Sequence, residues 1–386
     1  MNRAGLALLL ALAVGCVPQG TQPTNSPAAA SAASPTDGGP HATASGAVTI
    51  SPTPVAKVLA PMSYRRLPEH PRGQWSAWAA IGPTSVLAAL IPGRPPTNDE
   101  ERLQFVSELA VLNITDGSVK PLVRLQPGNT VYSPILVGSA VAWVETSAVD
   151  LRAYGWKLHL TDVSTGDDRV VATDPGARLA GADSVVPSLA FDGTNLLFTA
   201  LTNDGGTERW QLRSLRGGRE STIAELVDPT KRRINRVTVD QQSVAWVEAT
   251  HEPPSQILAV RSQATGTISR RAIQLDAIYQ IELIDERLYL ATGRGVFETD
   301  RANVVAPVRI SAGEWAVDQM GVLSGHLVYR AFDPAESVFA MRIGSRESTT
   351  VATGLTAGPR SGNGVLLFTK RGSAPAAPHE IGLLGG

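Results

Sequence analysis

The 386-residue sequence holds one cysteine, Cys16. A lone thiol forms no internal disulfide, no Cys-rich metal site and no redox pair. Charge of one sign is missing too: 34 Lys and Arg stand against 35 Asp and Glu, for a formal net charge of −1. A chain whose main partner is nucleic acid needs a basic field, so that class is excluded. Aromatic residues are only 5% of the chain and charged residues 18%. No long amphipathic run with capping signals occurs, which argues against helical solenoids and bundles. What is plentiful is glycine, at 36, and proline, at 27. That composition suits a turn-dense β protein.

Catalytic motifs are equally sparse. The six histidines (His41, His70, His159, His251, His326, His379) are never closer than 29 residues, and no His-x-x-x-His pair occurs. Gly-x-Ser-x-Gly and Gly-x-x-x-x-Gly-Lys are both missing, so neither a hydrolase nucleophile elbow nor a phosphate loop is supported. His159 alternates with Leu158 and Leu160 and is expected on a strand face, not on a metal. No metal and no cofactor is expected.

The N-terminus is the sharpest local signal. Met1-Asn2-Arg3 is followed by nine apolar residues, 6–14. These are too few for a bilayer, which takes roughly 20, but they suit the core of a secretory signal. The run ends in Leu12-Ala13-Val14-Gly15-Cys16. This resembles the lipobox of bacterial lipoproteins, with small residues before an obligatory cysteine. The resemblance implies residues 1–15 as a cleaved signal peptide, palmitate-type acylation at Cys16, and a cell-envelope location on the extracytoplasmic side of a bacterial membrane. From 17 to 54, Ala, Ser, Thr, Pro and Gly dominate, with Asp37 the sole ionisable acid or base besides His41. Such a segment lacks the apolar surface to offset its ordering entropy, so residues 16–54 are expected to be a disordered tether.

The rest of the chain, 55–386, repeats. Apolar runs begin at Val86, Val141, Leu196, Val244, Leu288, Leu327 and Leu366, at intervals of 55, 55, 48, 44, 39 and 39 residues. Each has a strand-like companion before it, another after it, and then a tight turn such as Asp116-Gly117, Thr165-Gly166, Gly217-Gly218 or Thr265-Gly266. Glycine there supplies the positive φ of a two-strand hairpin. Strand signals alone at this period predict an all-β propeller of seven four-stranded blades, with six as the alternative. Residues 381–384 read as the third strand of the last blade, with its fourth strand expected from residues 55–59. The stretch Pro187-Ser188-Leu189-Ala190-Phe191-Asp192-Gly193-Thr194-Asn195-Leu196-Leu197-Phe198-Thr199 resembles the Ser-Pro-Asp-Gly…Leu-x-Phe repeat of TolB-type, WD40-like bacterial propellers.

Blade length falls along the chain, and the extra residues lie between second and third strands, at one end of the ring. Insertions confined to one face of a repeat array mark a binding surface. The candidate face carries Asp99, Glu100, Glu101, Arg102, Asp150, Arg152, Tyr154, Lys231, Arg232, Arg233, His251 and Glu252. Trp143 and Trp246, in matching Val-Ala-Trp-Val-Glu segments, read as packing, whereas Trp75, Trp78 and Trp156 are free to join a binding surface. The expected function is an exported, lipid-anchored binding or scaffolding module and not an enzyme, with a protein or cell-wall glycan as partner and the propeller a monomer. The alternative is an extracytoplasmic enzyme, a polysaccharide lyase or hydrolase working in the central funnel. A further alternative is a ligand sensor that controls a partner protein.

Overall fold

The computed structural model describes residues 63–93, 96–149, 155–177, 186–204, 206–227, 232–250, 255–275, 277–302, 306–311, 313–355, 357–362, 365–370 and 380–385. Cys16, the leader, the tether and residues 55–59 lie outside them. Seven four-stranded antiparallel sheets follow one another along the chain. Their innermost strands are Gln74–Ala80, Asn129–Val137, Leu189–Phe191, Arg232–Val239, Ile278–Ile284, Val317–Leu323 and Ala357–Gly362. Each packs against the innermost strand of the next sheet, and that of blade 7 packs against that of blade 1, so the ring closes. The seven-bladed reading therefore holds over the six-bladed one. Blade 5, weakly patterned in sequence, shows why: its second and third strands are joined at Gly293-Arg294, with Thr292 paired to Gly295.

Closure is by overlap of the two ends of the domain, through a different segment from the one expected. Glu380–Gly385 is the third strand of blade 7, and the fourth is Ser63–Arg66, with Ser63 opposite Leu383 and Arg66 opposite Glu380. Tyr64 packs against the blade 6–7 core and lies under the Lys370 ammonium, 5.2 Å from its ring centre. The chain thus returns to its own start, leaving no unpaired edge inside the last blade.

The repeat is legible because one position must be apolar and large. The third residue of the apolar run in the second strand is Trp143, Phe198, Trp246, Tyr329 or Phe368 in blades 2, 3, 4, 6 and 7, each at most 2% exposed. Burying such a ring contributes roughly 1.5–3 kcal/mol. The hairpins between third and fourth strands have a shared chemistry. In blade 2, Asp162 Oδ1 accepts from the amides of Ser164 (2.7 Å) and Thr165 (2.9 Å), and Gly166 follows at φ 81°.

The repeated Val-Ala-Trp-Val-Glu segment also places a buried acid. Glu248 is fully buried and takes Arg270 at 2.7 Å, Arg232 at 3.3 Å and the Trp246 indole N–H at 3.2 Å. Its counterpart Glu145 takes Lys157 at 3.2 Å and His159 at 3.1 Å. His159 stacks on Trp143 (ring centres 4.1 Å apart), and its second nitrogen faces Asp168 at 2.7 Å. The strand-face position expected for His159 is observed, and so is packing as the role of Trp143 and Trp246.

Candidate functional site at the axis of the ring

Six of the seven innermost strands carry a β-bulge, and the bulges face the same region of the ring. One extra residue, Trp78, stands between Ala77 and Ala79, which pair with adjacent residues Ala88 and Leu87. Tyr279 and Asp318 are extra in the same way in blades 5 and 6. In blades 2, 4 and 7 two residues stand opposite a single buried aromatic: Ser133-Pro134 against Trp143, Arg236-Val237 against Trp246, and Gly358-Pro359 against Phe368. The first residue of each of these pairs has positive φ, at 46°, 50° and 107°. The chain accepts that for Gly358 at no cost, but Ser133 and Arg236 are held there at an expense of order 1–3 kcal/mol each. Bulges re-aim side chains and concentrate beside functional sites.

The result is a belt of large polar and aromatic side chains near the axis. Trp78, Arg236, Tyr279, Glu282, Asp318 and Arg360 all keep partial exposure, although each stands on an innermost strand. Solvent therefore reaches the axis. Hydrogen bonds stitch the belt from blade to blade. Arg236 Nε donates to the Ile278 carbonyl (3.3 Å). Gln280 donates to the Met320 carbonyl and accepts from the Met320 amide, both at 2.9 Å. Gln319 accepts from the Gly358 amide (2.6 Å), and Arg360 Nη1 donates to the Ala77 carbonyl (2.6 Å) with its guanidinium 4.3 Å over the Trp78 ring.

The electrostatics follow from this placement. Burial pushes the Arg360 pKa down to about 10, with Asp318 opposing the shift and Arg330 adding to it. Burial likewise lowers that of Arg236; Tyr132 and Tyr279 oppose this and Arg233 adds to it. At about 10, the Arg360 guanidinium stays cationic at neutral pH. Asp318 is bound by Arg330 at 2.6 Å, and Arg330 lies 4.5 Å under Phe332. Glu282 sits deep in the lining, and desolvation raises its pKa to about 7 against a hydrogen bond from Gln280 (2.6 Å). A carboxyl that titrates near neutrality is suited to proton transfer.

The residues singled out in the sequence fall elsewhere. Asp99, Glu100, Glu101 and Arg102 form a short helix, Asp99–Gln104, in place of the expected loop, with Asn98 as its cap accepting from the Glu101 amide at 2.9 Å. Their charges are spent locally: Arg102 meets Asp99 at 3.3 Å, Glu100 accepts from Gln104, and Glu101 accepts from the Thr97 amide. Arg232 and Arg233 were assigned to a connecting loop but belong to the innermost strand of blade 4, because they continue its ladder, opposite Thr250 and Ala249. Asp150, Arg152, Tyr154, Lys231, His251 and Glu252 lie outside the described residues. Strand direction does place the helix and the start of strand Arg232–Val239 at the same end of the ring. Trp75 and Trp156 are corrected to packing residues, 2% and 1% exposed. Trp78 alone of that trio reaches the axis.

The sequence reading missed Arg236, Tyr279, Glu282, Asp318 and Arg360, and also the exposed Trp315 and Phe332 (48% and 47%). These two flank blade 6 at the same end of the ring, where the Phe332 amide donates to the Ala316 carbonyl (2.9 Å). The surface cavity of about 470 Å³ on the outer flank between blades 2 and 3 carries no such chemistry. Its charged members, Arg213 and Glu220, pair with each other at 3.0 Å.

Comparison with known proteins places the fold and little more. No protein-family model matches the sequence, and no curated protein is similar to it. Among solved structures, a prolyl endopeptidase matches with a TM-score of 0.55 at 13% identity, over 77% of this chain and 46% of that one. This chain thus spans about half of that peptidase's length. An oligogalacturonate lyase in complex with manganese matches with a TM-score of 0.52 at 12% identity, over 85% of this chain and 97% of that one. TolB from Acinetobacter baumannii matches over 69% of this chain and 63% of its own, at 13% identity and a TM-score of 0.42.

The class is therefore a seven-bladed β-propeller. The expectation of a non-enzyme is overturned by the same comparison. Rings of this form belong to a peptidase and a lyase, so the lack of a catalytic cluster in sequence does not separate this ring from catalytic ones. Among the described residues no three His, Cys, Asp or Glu are grouped to share a metal.

Proposed function

We propose that this chain is an exported propeller, anchored through lipidated Cys16 at a bacterial cell envelope, that binds its ligand at the axial belt. The observation that carries the binding site is the coincidence of six bulges on six innermost strands. Bulges re-aim side chains and recur beside functional sites. The anchor rests on the resemblance of residues 12–16 to a lipobox, with the sole cysteine at the acylated position.

A second reading has a specific observation in its favour. Glu282, with its carboxyl titrating near 7 in the lining, is a candidate acid–base group, and the lyase match covers almost all of that enzyme's chain. In that case binding at the belt precedes chemistry at Glu282. Glu282→Gln then abolishes turnover of a cell-wall or plant polysaccharide while leaving its binding intact.

The test has two arms. Radioactive palmitate labels the wild-type chain and not Cys16→Ser; equal labelling removes the anchor. Cell-surface crosslinking recovers a specific adduct from the wild-type chain that is lost from Trp78→Ala/Tyr279→Ala. An adduct that persists in that folded double variant removes the belt as the site.

A further inference from the structure

We propose that the axial belt takes a hydroxylated organic carboxylate, of which a sugar acid is the class that fits, with Arg236 and Arg360 holding the carboxylate. This inference rests on the belt being the binding site and names the chemistry of what it binds.

The argument begins with charge. The seven innermost strands carry Arg232, Arg233, Arg236 and Arg360 against only two carboxylates, Glu282 and Asp318. Asp318 is taken by Arg330 at 2.6 Å, and Arg232 by Glu248 at 3.3 Å. Among the described residues no carboxylate pairs with Arg236. Its charge environment is Tyr132, Tyr279 and a like-charged Arg233. Arg360 feels Asp318 but shares it with Arg330. Two guanidiniums placed deep in a ring without dedicated counter-ions cost free energy that an entering anion relieves.

Donor geometry points the same way. Arg236 commits Nε to the Ile278 carbonyl, and Arg360 commits Nη1 to the Ala77 carbonyl. Each guanidinium has five N–H donors in a planar fork that matches a carboxylate. Blades 4 and 7, which carry the two arginines, stand nearly opposite in a ring of seven. Arg236 is also held at φ 50°, in the bulge conformation it shares with Ser133 and Gly358.

The remaining groups select among anions. Trp78, Tyr132 and Tyr279 supply aromatic surface, which a bare inorganic ion cannot use and the C–H face of a sugar can. Asp318 Oδ1 is buried without a hydrogen-bond partner. The innermost strands offer no lysine. Carboxylate, hydroxyl and an apolar face on one small body describe a uronic or aldonic acid.

Isothermal titration of the folded chain tests this, with galacturonate trimer, neutral maltotriose, citrate and inorganic phosphate as probes. The trimer is expected to bind, and Arg236→Gln or Arg360→Gln to weaken it by roughly 10- to 100-fold, the range of a charge-assisted hydrogen bond. Arg236→Lys keeps the charge but loses the fork, and falls between. Arg213→Gln, on the outer flank, changes nothing. Should either Gln variant fail to fold, probe selectivity of the wild-type chain and the Lys variant decide. Trimer binding that is indifferent to every arginine substitution overturns the inference, as does no binding of the trimer. Citrate or phosphate binding as tightly as the trimer overturns the sugar-acid assignment. Maltotriose that binds at Trp78 while the trimer does not overturns the anion but leaves the belt as the binding site, so the two failures are distinguishable.

Discussion

At the residue scale, the most consequential group is Glu282. Its carboxyl is pushed up to about 7 from an ordinary value near 4.5, first by desolvation, with Gln280 offsetting part of it. The sign for stability follows. Because the folded-state value lies above the unfolded one, the uncharged acid's contribution is complete below about 4.5 and is lost as pH rises through 7. Glu282→Gln is therefore expected to melt several degrees above the wild-type chain at pH 8 and level with it at pH 4.5, measured by calorimetry. A constant offset at both pH values contradicts the assignment. Arg236 and Arg360 are the complementary case: burial lowers both cations, and Arg360, at about 10, remains charged at neutral pH.

At the scale of elements, bulges fall on six innermost strands and on the third-to-fourth-strand pairings of four blades, while the second strands stay regular in their buried pattern, and that decides what was legible. The second strand of each blade repeats visibly, because Trp143, Phe198, Trp246, Tyr329 and Phe368 fill one buried position and packing tolerates little else there. A bulge residue is under no such constraint. Trp78, Ser133, Arg236, Tyr279, Asp318 and Gly358 share neither size nor polarity, so no repeat betrays them. One signal was available: an extra residue between alternating apolar positions ahead of each run, as at Asn235 to Thr238 against Val247 to Ala245. Length-based reasoning instead favoured the insertion at 92–102, where helix Asp99–Gln104 uses its charges on its own turns. The closing strand was legible as a need but not as a segment, since Ser63-Tyr64-Arg65-Arg66 has little β pattern and pairs because Glu380–Gly385 offers an edge. Deleting residues 380–386 removes both pairings of blade 7's third strand. It is expected to lower the melting temperature by roughly 10 °C or more, at about 2–4 °C per kcal/mol. An unchanged transition would show that closure contributes nothing.

At the scale of the whole molecule, a ring of seven blades gathers one residue from each of several distant segments onto an axis. Trp78 and Arg360 meet there although they stand at opposite ends of the propeller sequence. That is why the absence of clustered motifs misled the expectation about catalysis, while the fold itself was read correctly. The central claim is that this axis, not the outer flank or the short helix, is where the molecule meets its ligand. Fluorine NMR of chain labelled with 5-fluorotryptophan tests it most directly, since the seven tryptophans include one in the belt, Trp78, and one on the exposed rim, Trp315. With resonances assigned by Trp78→Phe and Trp315→Phe and galacturonate trimer as the probe, Trp78 is expected to shift on titration, with the buried Trp143 and Trp246 unmoved. A saturable shift confined to Trp315, or to no tryptophan while the trimer binds, would contradict the account.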